Sequence, residues 1–139
     1  MKIRFSKENV SFRIKDAGKI KKWLEDVLLI EKKTGDSIFF IFCSDESLYE
    51  KNLAFLSHKT YTDIITFDYS NDLVVSGEIY ISVDRIKENA VKFAVPEAEE
   101  LKRVMVHGVL HLCGYKDKTK AQKVKMRRKE NAHLNRFPR

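Results

Sequence analysis

The chain has 139 residues, of which 43% are hydrophobic and 34% charged, enough for one cored domain over 1–139 with a well-solvated exterior. No apolar run approaches the ~18 residues needed to cross a bilayer, which excludes a membrane-spanning helix. The net charge of +7 is uneven: up to Tyr115 there are 17 Lys and Arg against 18 Asp and Glu, whereas residues 116–139 carry 10 against 2.

Met1 to Phe5 alternates polar and apolar residues and reads as a strand. It lacks the apolar core of a signal peptide, and Cys43 and Cys113 each read as small buried hydrophobes. The expected compartment is therefore the cytoplasm. Residues 10–14 also look extended. Asp16 can cap a helix to about Lys33, with Ile20, Trp23, Leu24, Val27 and Leu28 on one face, stopped by Thr34-Gly35-Asp36. Ser37 to Cys43 is an uninterrupted apolar run, expected as a central strand covered on both faces. Phe39, Phe40 and Phe42 accordingly read as core. Ser44 or Asp45 caps a second helix carrying Leu48, Leu53 and Phe55.

Thr62 to Phe67 is β-branched and aromatic, and Leu73 to Val83 reads as the next strand, interrupted at Gly77. A turn at Asn71-Asp72 makes the two an antiparallel hairpin. Asp84 begins a helix to about Val95, and Pro96 opens another, acidic at first and apolar from Val104 to Leu112. A basic helix follows within 116–139, from about Lys118 to Leu134, with a weak apolar stripe. The order β-α-β-α-β-β-α-α-α predicts an α+β fold, a small mixed sheet of about four strands packed with helices.

The chemistry concentrates in His107-Gly108-Val109-Leu110-His111-Leu112-Cys113-Gly114-Tyr115-Lys116-Asp117. Four residues advance a helix by about 400°, so the two imidazoles lie one turn apart on one face. Gly114 can end the helix in a left-handed conformation and return Asp117 to the same point. Two imidazoles and a carboxylate suit one zinc ion per chain and leave a coordination position open, as catalysis requires. The spacing H-x-x-x-H-x-x-G-x-x-D matches the long zinc motif of the metzincins. Position 108 is glycine, however, where H-E-x-x-H proteases place their general base.

The stretch HGVLHLCGYKD resembles the YbeY family of bacterial metal-dependent endoribonucleases, whose hallmark reads H-G-x-L-H-L-x-G-Y-D-H. Asn52 with Thr62-Asp63-Ile64-Ile65-Thr66-Phe67, and Gly77-Glu78-Ile79, match two further family segments in order and spacing. The resemblance implies a zincin-like metal helix and cleavage of single-stranded RNA in ribosomal RNA maturation and ribosome quality control. It also implies ribosomal RNA and the ribosome as partners, and no nucleotide cofactor. Two positions depart from the pattern. Asp117 stands where the family has its third histidine, which lowers the site's charge and admits harder metals such as Mn²⁺. Leu56 stands where the family usually carries an arginine, so another cation must hold phosphate.

The basic segment suits a polyanionic substrate, and Lys123, Arg127, Arg128 and Arg85 are the candidate RNA contacts. His58 and His133 read as surface residues. Glu130 either reaches the metal site or pairs with a neighbouring cation, and Asp63 and Glu78 either border the cleft or solvate strand ends. Two other functions remain open: a ribosome-assembly factor with structural zinc, and a metallohydrolase of peptide or amide bonds.

Overall fold

The computed structural model describes residues 2–56 and 62–138. The reading of His58 lies outside the described residues. The elements run β1 (Lys2–Glu8), α1 (Ala17–Ile30), β2 (Thr34–Cys43), α2 (Asp45–Leu56), β3 (Ile64–Asp68), β4 (Val74–Ser82), α3 (Val83–Lys92), α4 (Glu97–Leu112) and α5 (Lys120–Asn135). The sheet order is β1-β2-β4-β3. β1 and β4 pair parallel to β2, whereas β3 and β4 are antiparallel as the turn residues predict. The result is the expected α+β fold with a mixed four-stranded sheet.

Side-chain alternation sends Ile38, Phe40 and Phe42 of β2 to one face with Ile79 and Ile81 of β4, all at most 2% exposed. Against that face pack Trp23, Leu24, Val27 and Leu28 of α1 and Met105, Val109 and Leu110 of α4. The other face of β2 is covered only in part, which corrects the expectation of a strand buried on both sides. Phe39 is exposed and Ile41 half-buried; α2 buries Leu48 there with Cys43 and Ile65. Leu53 and Phe55 of α2 are likewise exposed.

Four local expectations are revised. Residues 10–14 form no strand; Val10, Phe12 and Ile14 lie against the core as an irregular segment. Thr34-Gly35-Asp36 opens β2, because Lys32 already reverses the chain at φ 60°. β4 continues unbroken through Gly77. Asp16 stands at the start of α1 in a left-handed conformation, and its side chain makes no capping bond.

Candidate metal centre

α4 ends as its sequence predicts. Gly114 takes φ 103°, the Gly114 amide donates to the His111 carbonyl at 3.0 Å, and the Tyr115 amide donates to the Leu110 carbonyl at 3.1 Å. This pair of bonds closes the helix and turns the chain back, so that Asp117 returns to the two histidines. His107 Nε2 and His111 Nε2 are 3.0 Å apart. Asp117 Oδ2 lies 3.3 Å from the first and 3.4 Å from the second. A tetrahedral ion with bonds of about 2.0–2.1 Å separates its ligand atoms by roughly 3.3–3.4 Å. The donor set and its spacing thus fit one metal ion, and His107, His111 and Asp117 are the one such group among the described residues.

Both imidazoles are oriented by acceptors behind them. His107 Nδ1 donates to Glu130 Oε2 at 2.6 Å, and His111 Nδ1 donates to the Tyr115 carbonyl at 2.9 Å. Each partner can only accept, so each ring carries its proton on Nδ1 and leaves Nε2 free for an ion. Glu130 is in turn held by Arg103 Nη1 at 2.8 Å. Burial disfavours its charge, but the bonds from His107 and Arg103 outweigh this and hold its carboxyl below the ordinary value. At His107 burial works against protonation, while Glu130, Asp117 and Asp63 together raise the pKa above that of a free imidazole.

His107 and Asp117 open on a cleft of about 740 Å³ between α4, α5 and the approach to β3. Lys123 and Arg127 of α5 line it, as does Asp63. Arg128 is exposed and lies outside the lining. Arg85 also lies outside it, its guanidinium donating to Asp45 at 3.0 and 3.2 Å. Glu78 accepts from the Tyr69 hydroxyl and does not border the cleft. Leu56 ends α2, 44% exposed, and is likewise absent from the lining.

Two assignments change. Glu130 does both things weighed for it, reaching His107 and pairing with Arg103. His133 is a core residue rather than a surface one: it is 1% exposed, Nε2 donates to Glu31 at 2.7 Å, and its carbonyl accepts from Trp23 Nε1 at 2.8 Å. Arg103 was not foreseen at all. It stands four residues before His107 on the same helical face, and that i,i+4 relation was the available signal.

The comparisons with known proteins agree with this geometry. The family model described as Endoribonuclease YbeY matches residues 2–138. The chain belongs to the endoribonuclease YbeY family. It is 48% identical over 128 residues to an Endoribonuclease YbeY of Flavobacterium psychrophilum, covering 92% of this chain and 91% of the relative. A second Endoribonuclease YbeY, from Christiangramia forsetii, is 45% identical over 135 residues, or 97% and 94% of the two chains. Among solved structures, a Thermotoga maritima protein determined in solution superposes with a TM-score of 0.67 at 28% identity, over 96% of this chain and 87% of that one.

Proposed function

We propose that this member of the endoribonuclease YbeY family is a zinc-dependent endoribonuclease that cuts single-stranded ribosomal RNA during ribosome maturation, in the cytoplasm. One observation carries the reading: two imidazole nitrogens and a carboxylate oxygen lie close enough together to hold one ion, and His107 and Asp117 of that group line a cleft. When bound there, zinc supplies Lewis-acid polarisation of a phosphoryl oxygen and a water of lowered pKa. The chain's own residues do the rest. Glu130 and the Tyr115 carbonyl fix the two rings, Arg103 fixes Glu130, and Lys123 and Arg127 present cations to backbone phosphates along α5. No helix is long and apolar enough to cross a membrane among the described residues.

The local packing disfavours peptide hydrolysis. A side chain at Gly108 would begin 2.9 Å from Ile64 Cδ1 and 3.0 Å from Ile79 Cδ1. Position 108 thus faces Ile64 and Ile79 of the sheet, and a larger side chain there would have to displace them.

The test uses purified, zinc-reconstituted protein on a single-stranded ribosomal RNA fragment. Parent protein holds about one ion per chain and cleaves. Asp117→Ala loses both properties, whereas Asp117→His keeps the ion. Cleavage by Asp117→Ala at the parent rate without bound metal would overturn the reading.

A further inference from the structure

Glu31 stands at the C-terminal end of α1, with its side chain 5% exposed. A helix C-terminus disfavours negative charge, and so does burial, so donors from elsewhere must hold a carboxylate there. Its Oε1 accepts from the Tyr115 hydroxyl at 2.5 Å, and its Oε2 accepts from His133 Nε2 at 2.7 Å. Lys129 Nζ lies 3.5 and 3.4 Å from the two oxygens. Burial opposes the charge, but the bonds from Tyr115 and His133 and the charge of Lys129 outweigh it and hold the carboxyl below its ordinary value. His133 serves as a neutral donor. Burial pushes its pKa down, and its Nδ1 faces Arg136 Nη1 at 3.2 Å, a group that can only donate. The one ring proton therefore sits on Nε2 and points at Glu31.

Tyr115 is held at both of its polar ends. Its hydroxyl is fixed by Glu31, and its carbonyl accepts the His111 Nδ1 proton at 2.9 Å. Gly114, just before it, takes φ 103°, a position of high backbone freedom, and Asp117 follows two residues later. The turn that carries both the acceptor for His111 and the carboxylate ligand is thus moored to α1 through the Tyr115 phenol. The two rings of the centre are backed in related ways. His107 donates directly to the carboxylate of Glu130, whereas His111 donates to a neutral carbonyl whose residue is tied to the carboxylate of Glu31. α5 serves both, with Glu130 behind one ring and with Lys129 and His133 around Glu31 behind the other.

We infer that Glu31 is a positioning residue of the metal centre, holding the Tyr115 carbonyl on His111 Nδ1 and the returning segment in place for Asp117 through its bond to the Tyr115 hydroxyl. An acid that only braced α1 against α5 would need His133 and Lys129 alone; the bond to Tyr115 joins it to the ligand turn. The inference rests on the reading of His107, His111 and Asp117 as a metal centre.

The test is zinc affinity, read by competition against a chromophoric chelator, for parent, Tyr115→Phe, Glu31→Ala and the double variant. Tyr115→Phe deletes the hydroxyl and keeps the ring that packs on the core. Each single variant should bind zinc about tenfold more weakly, the lower end of the loss expected for a partner outside the ligands. The double variant should lose no more than the weaker-binding single one, because both changes break the same bond. Trp23→Phe removes the indole bond to the His133 carbonyl and loosens the same core without touching Tyr115, so its affinity should match the parent. Parent-like affinity in either single variant, losses that add in the double variant, or an equal loss in Trp23→Phe would each make Glu31 a brace of the fold alone and overturn the inference. Where Glu31→Ala fails to fold, Tyr115→Phe compared with Trp23→Phe carries the test. A parent that binds no zinc rejects the metal reading by itself, and the metal-free protein then decides the role of Glu31. Nitrogen–proton NMR should show His111 as a single tautomer, protonated on Nδ1, in the parent and as a mixture in Tyr115→Phe. The same single tautomer in both overturns the positioning role.

Discussion

At His107 a single ring connects two helices. Its Nε2 faces Asp117 and His111, while its Nδ1 donates to a glutamate contributed by α5. Because Glu130 is 5% exposed and also receives Arg103, its negative charge is held in place behind the ring. That charge makes the imidazole a stronger donor toward a metal. Glu130→Gln keeps the shape and an acceptor oxygen but removes the charge, so metal affinity should fall about 10–100-fold. Competition against a chromophoric chelator measures it, and parent-like affinity would reduce Glu130 to packing. The grouping of the candidate ligands was legible because helical periodicity and a terminal glycine act locally: His107, His111, Gly114 and Asp117 all fall within eleven residues. Glu130 lies 23 residues from His107, and only the packing of α5 on α4 brings them together. His133 escaped for a related reason. A histidine in a basic segment resembles a solvated one until Glu31, 102 residues away, is seen beneath it.

A uniformly apolar face makes α1 and α4 legible in full, whereas α5 forms where the sequence places it but with a buried face that the sequence does not show. α1 shows five buried apolar residues at helical spacing, and α4 is apolar from Val104 almost to its end. α5 buries Met126, Glu130, His133 and Leu134, a regular i, i+4, i+7, i+8 stripe in which half the members are polar. Its pattern looks weak because two of its buried positions, Glu130 and His133, bond His107 and Glu31 rather than merely filling space. The same principle explains β2, where a continuous apolar run hid a half-open outer face. α4 also depends on close approach at its last turn. A Cβ at Gly77 of β4 would lie 2.6 Å from the Phe67 carbonyl oxygen and 2.7 Å from Leu112 Cδ2. The carbonyl is backbone and cannot swing aside, so strand or helix must shift. Gly77→Ala should therefore destabilise the fold by about 1–3 kcal/mol. Because Leu112 adjoins His111, the shift should also weaken metal binding. Chemical denaturation of apo protein and a chelator competition read the two effects separately; an unchanged unfolding midpoint would refute the close packing.

Across the molecule, the positive charge of residues 116–139 is not one undivided patch. Lys129 pairs with Glu31 at 3.4 Å beneath Tyr115, and Arg128 points to solvent outside the cleft. Lys123 and Arg127, one helical turn apart, are the basic side chains of α5 that reach the cleft wall. Total charge therefore overstates the number of phosphate contacts, and position decides which cations count. Each phosphate neutralised on a single strand contributes about −0.7 to the slope of log affinity against log salt. Replacing Lys123 and Arg127 together by Gln should make the slope shallower by roughly 1.4, two such contributions, with metal content unchanged. Arg128→Gln, equal in charge removed per residue but off the wall, should leave the slope near that of the parent. The measurement is affinity for a single-stranded RNA oligomer at several monovalent salt concentrations and fixed divalent ion, for parent, double variant and Arg128→Gln. If the double variant keeps the parent slope, α5 does not touch the strand and its basic face only solvates the fold. If Arg128→Gln flattens the slope as much per residue as the pair does, the effect is one of net charge rather than of a bound path through the cleft.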